Sequence, residues 1–147
     1  YSALWHLNLQ GFRKNLMKQT VFMEKYPIFT LEIEKNECKF DSVDAIISYF
    51  RNLIDADSVA DFIGGFDHYS HTKKIEGGEV ANDILDAKLI AFCFGQKLLD
   101  PAMLSVRPRS IGVCEKADSF VISFLEAPMA PINQKMESWI KALLVNK

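Results

Sequence analysis

The chain has 147 residues, 49% hydrophobic and 24% charged, with a formal net charge of −2. Eleven phenylalanines give it enough apolar surface to offset the entropy of ordering, which excludes a disordered tail. The charge balance offers no broad basic field for phosphates, which excludes a general nucleic-acid binder.

Residues Tyr1–Leu16 show no clear period, and Arg13 and Lys14 follow their apolar stretch, the reverse of a signal peptide. The segment reads as a non-native or irregular leader, with Met17 as the natural start and residues 17–147 as one α+β domain. A strand is expected at Thr20–Glu24 and a turn at Tyr26-Pro27. A second strand at Ile28–Glu34 follows, where Phe29, Leu31 and Ile33 alternate with polar neighbours.

Asp41 or Ser42 can cap a helix whose stripe is Val43, Ile46, Ile47, Phe50 and Ile54. Val59, Phe62, Ile63 and Phe66 suggest a second short helix, ended by Gly64-Gly65. Asp67–Asp86 reads mainly as loop, with a turn of helix around Val80–Leu85, and Lys88–Phe94 as a buried strand.

Leu98–Val106 is a connection with a turn or helix start at Asp100-Pro101. Arg109–Cys114 and Phe120–Glu126 form a hairpin around Glu115–Ser119. Its second arm, apolar on both faces, suits a central strand. A last helix is expected over Asn133–Val145, with Met136, Trp139, Ile140, Leu143 and Leu144 as its stripe. The order β-β-α-(α)-β-β-β-α predicts a two-layer α+β domain. A mainly antiparallel sheet of about five strands would pack against two or three helices.

No apolar run exceeds the six residues of Leu89–Phe94, whereas a helical membrane span needs roughly 20. Three widely spaced cysteines, Cys38, Cys93 and Cys114, make no disulfide framework and suit a reducing cytoplasm.

Two short polar blocks carry chemistry-capable side chains. In Phe66-Asp67-His68-Tyr69-Ser70-His71-Thr72, His68 and His71 are spaced to share one side of a helix. They are ligand types suited to a transition metal and to proton transfer near neutral pH. A third ligand would have to come from elsewhere, so packing against an aromatic ring is the plainer role. In Arg107-Pro108-Arg109, proline holds the backbone between two guanidiniums that can grip a carboxylate or phosphate, or pair with Glu115 or Glu126. Cys93 lies among large apolar residues and suits packing better than reactivity. The glycine pairs match neither phosphate-loop pattern.

Together with Phe92-Cys93-Phe94-Gly95, Val106–Val113 and Ser123–Pro128, these blocks resemble a small uncharacterised family of proteobacterial proteins, a domain of unknown function. The resemblance runs from Met17 to the end. It implies a bacterial cytoplasmic protein and assigns no catalytic residue.

Two functions follow as expectations. One is a small-molecule, anion or metal binding domain whose site joins His68, Tyr69 and His71 with Arg107 and Arg109. The other is a non-catalytic homodimeric or protein-interaction module, motivated by the amount of apolar surface in a short chain. No nucleic-acid or membrane partner is expected.

Overall fold

The structure, a computed structural model, describes residues 17–145. The expected leader, Tyr1–Leu16, lies outside the described residues. Six strands form one antiparallel sheet: β1 (Lys18–Phe22), β2 (Tyr26–Glu34), β3 (Asp61–Asp67), β4 (Asp86–Cys93), β5 (Arg109–Glu115) and β6 (Ser119–Leu125). Their order across the sheet is β1-β2-β6-β5-β4-β3. Among the described residues three α-helices accompany them: α1 (Val43–Ala56), α2 (His68–Lys74) and α3 (Ala130–Lys141). The fold is α+β, with one strand more than expected.

The two-residue alternation of β2, β5 and β6 puts Leu31, Ile33, Ile111, Phe120 and Ile122 on one face, all 0% exposed. α1 covers the β3–β5 side of that face with Ile46, Phe50 and Ile54. α3 adds Met136, Ile140 and Trp139, whose ring meets Phe92 at 5.6 Å. Ser42 caps α1 by accepting from the Ala45 N–H at 3.0 Å, as its sequence position predicts. β6 lies between β2 and β5, so both its edges are paired. Phe120, Ile122 and Phe124 face the core, while Val121 and Ser123 on the other face are half-buried and Leu125 is exposed. No helix of the described residues is long and apolar enough to cross a membrane.

Four local expectations are corrected. The first turn is Met23–Lys25, not Tyr26-Pro27. Met23 and Glu24 take positive φ (53° and 62°), and the Lys25 N–H donates to the Phe22 carbonyl. Pro27 sits inside β2 opposite Val21. Its carbonyl accepts from Glu126, just past the end of β6, where a missing N–H breaks no ladder bond.

The expected second helix is β3. The pairing shifts between Phe62 and Gly64, a bulge that leaves Ile63 as the extra residue. The bulge breaks the two-residue period and spaces Phe62, Ile63 and Phe66 as if on a helix. Two adjacent glycines, each costly inside a helix, point the other way. Conversely, part of the expected loop is α2, started by Asp67 accepting from the Ser70 N–H at 2.9 Å. It buries no residue and so has no apolar stripe to announce it. The last helix begins and ends earlier than expected, with Pro131 in its first turn.

Ile122→Ala in central β6 should cost about 2–5 kcal/mol in urea unfolding. Ile63→Ala at the bulge should stay within roughly 0.5 kcal/mol, because Ile63 is 56% exposed. Comparable losses at both positions would contradict the strand assignment of 61–67.

Candidate functional site

The register fixes where the two polar blocks lie. Asp67, next to His68, pairs with Lys88 near the start of β4, and Arg109 pairs with Phe92 near its end. Four residue steps along β4 separate these pairs, about 13 Å. The blocks also use opposite faces. Phe66 pairs with Leu89 on the face away from α1 and α3, whereas Arg109 shares the buried face with Phe92. The structure brings His68, Tyr69 and His71 together, but not with Arg107 and Arg109.

Within the first block, both imidazoles rest on the Phe66 ring. The centroids lie 4.6 Å away for His68, nearly perpendicular, and 5.2 Å for His71. Tyr69 lies beneath the Lys73 ammonium at 5.3 Å. Among the described residues, no group of three or more His, Cys, Asp or Glu side chains is arranged to hold a metal. Cys93, at the far end of β4, accepts from the Gly95 N–H at 3.3 Å and has neither histidine beside it.

The second block does not make a paired fork. Arg107 donates to the Lys97 carbonyl at 2.6 Å. Arg109 donates to the carbonyls of Val106 at 3.1 Å and Leu125 at 2.8 Å. The acids expected as partners are engaged elsewhere: Glu115 with Lys35 and Glu126 with Gln19, both at 2.6 Å. Arg109 is 8% exposed, and its Nε has no hydrogen-bond partner among the described residues. Burial pushes its pKa down.

Sequence reasoning missed a charged cluster beside the histidine block. Lys88 occupies a core-face position of β4, in phase with Ile90 and Phe92. Its ammonium donates to Asp44 of α1 and lies 3.8 Å from Asp67 and 4.0 Å from Asp86. The hydrogen bond to Asp44 raises the Lys88 pKa against the opposing effect of burial. Asp67 is held below the ordinary carboxylate range by the Ser70 N–H, then by the Ser70 hydroxyl and Lys88, against the opposing effect of desolvation. The signal was the parity of Lys88 in Asp86-Ala87-Lys88-Leu89-Ile90.

A surface cleft of about 400 Å³ was also unforeseen, because it joins β1, the β6–α3 turn and α3. Its lining includes Phe29, Pro128, Gln19, Glu126, Gln134 and Glu137.

The Lys88 cluster sets a pH response. A depressed carboxylate stabilises the fold above its unfolded pKa, about 3.9, and that contribution is lost as pH falls through the folded value. A raised lysine stabilises below about 10.4, and its contribution is lost as pH rises through the folded value. Lys88→Met should therefore move the Asp67 carboxyl midpoint up, read by side-chain carbon NMR titration. An unchanged midpoint would contradict the coupling.

Comparison with known proteins gives one family. No curated protein and no solved structure matches the chain. The model of a family of unknown function, DUF6858, matches residues 17–145, most of the chain. The chain belongs to the DUF6858 family.

Proposed function

We propose that this chain is a non-catalytic assembly or protein-interaction module that works through one end of its sheet. The observation that carries this reading is where its exposed apolar side chains gather. The first hairpin offers Phe22 and Tyr26, the β4–β5 connection offers Leu98, Leu99 and Leu104, and the end of β6 offers Leu125. Leu99 is 81% exposed. The register aligns these segments: Phe22 pairs with Tyr26, Ile28 with Leu125, and Arg109 reaches the Leu125 carbonyl. Single exposed apolar residues are ordinary, whereas a run of them across one end is the mark of a contact surface. A bacterial cytoplasm is the proposed setting, supported by the free cysteines Cys38, Cys93 and Cys114 and by the sequence resemblance.

A second reading, ligand binding, is favoured by one observation: the buried Arg109 guanidinium makes no ion pair to a carboxylate among the described residues. Such a cation is suited to an anionic ligand. It would serve separately from the His68–Tyr69–His71 turn. Phosphate, sulfate or a dicarboxylate should then raise the unfolding temperature of the wild type and leave Arg109→Met unmoved. Equal responses in both proteins would contradict an Arg109 site.

Lysine-reactive cross-linking in the source cells tests the interaction reading. Cross-links should run from Lys25 and Lys97 at the apolar end, and Leu98→Ser with Leu99→Ser and Leu104→Ser should weaken them. Cross-links confined to Lys73 and Lys74, or indifferent to the leucine changes, would contradict it.

A further inference from the structure

We propose that the partner engaged by the first hairpin is a second copy of this chain, joined β1 to β1 and antiparallel across a two-fold axis. This rests on the interaction reading above and names its partner.

The two edges of the sheet are built differently. β3 carries a bulge at Ile63, the pair Gly64-Gly65, and an aspartate at each end, Asp61 and Asp67. Bulges, charges and weak strand formers are the usual means of keeping an edge from pairing. β1 has none of these within its span except Lys18. Its register with β2 is unbroken from Lys18–Thr30 to Phe22–Tyr26, and all five residues are exposed. Val21 is 59% and Phe22 57% exposed. A regular edge of this kind is a template for another strand.

The sequence of the edge is self-complementary in the antiparallel sense. With the axis at Thr20, Lys18 faces the partner's Phe22 and Gln19 faces the partner's Val21. Phe22 then gains the Lys18 side chain to cover it, Val21 lies against the stem of Gln19, whose amide is held by Glu126, and no like charges stand opposite each other. Glu24, just beyond Phe22, falls at the Lys18 end of the other strand. A parallel pairing would instead set Lys18 on Lys18. The isologous arrangement closes on itself as a dimer, so it consumes the exposed β1 edge without leading to filaments.

Sedimentation equilibrium of the full chain over a range of concentrations tests this, with two charge variants. The wild type should reach the mass of two chains. Gln19→Lys with Val21→Lys places like charges across the axis and should weaken association about tenfold or more. Gln19→Lys with Val21→Glu places opposite charges there and should restore it. Positions 19 and 21 are both exposed, and a lysine at 19 can still reach Glu126 in place of the surface Gln19 hydrogen bond, so thermal unfolding should change little in either variant. A wild type that stays at one chain mass at every concentration overturns the proposal, and so does a dimer indifferent to both variants. Should that monomer still cross-link to a different protein through Lys25 and Lys97, the homodimer fails while the interaction reading stands. Should those cross-links be missing too, both fail.

Discussion

The three-strand apolar ladder of β2, β6 and β5 is what the rest of the molecule rests on. Leu31, Ile122 and Val113 stand in one cross-strand row, and Phe29 stacks on Phe124 at 4.9 Å beside it. These side chains are almost wholly buried, so removing any of them leaves a void as well as losing its transfer energy. α1 and α3 have a face to cover only because this ladder keeps its parity. A slip of one residue would turn Leu31, Ile122 and Val113 outward together.

The same row, followed outward, explains how the layers are fastened. Beyond Val113 it continues to Lys88 and Asp67, where the apolar contact gives way to charge. Lys88 reaches from the core face to Asp44 of α1, so the helix is held to the β3–β4 margin by an ion pair at the edge of its apolar footing. At the opposite end of the strands the surface is apolar. Arg109 occupies the inner face there and supports main-chain carbonyls of the β4–β5 connection and of the end of β6, and Asn133 holds both backbone groups of Ala127 at 2.7 and 3.0 Å. One end of the sheet thus carries the Lys88 ion pairs, with Phe66, Ile75 and Leu85 exposed around them. The other gathers more of the exposed apolar side chains, Phe22, Tyr26, Leu98, Leu99, Leu104 and Leu125 among them, and this is the surface on which the proposed interaction rests.

The sequence carried the strong periodicities well. β2, β6, the Ser42-capped α1 and the antiparallel two-layer class were legible because each depends on a local pattern with a buried face behind it. β3 was not, because the bulge at Ile63 converts a strand period into one that looks helical, and α2 was not, because a seven-residue helix that buries nothing needs no stripe. The candidate site was less legible still. His68, Tyr69 and His71 do cluster, since they are neighbours in the chain. Their separation from Arg107 and Arg109 is a matter of strand register, which depends on pairings far apart in sequence. Lys88 stood at a core position in plain view, but its partners Asp44 and Asp67 come from other elements.

Hydrogen exchange along the chain, followed at low and high protein concentration, tests the account most directly. It predicts that β6 amides are the slowest at either concentration, since they lie between two strands over the core. It also predicts that β1 amides slow as concentration rises while β3 amides do not. Exchange in β1 that ignores concentration, or β6 amides no slower than those of β3, would contradict it.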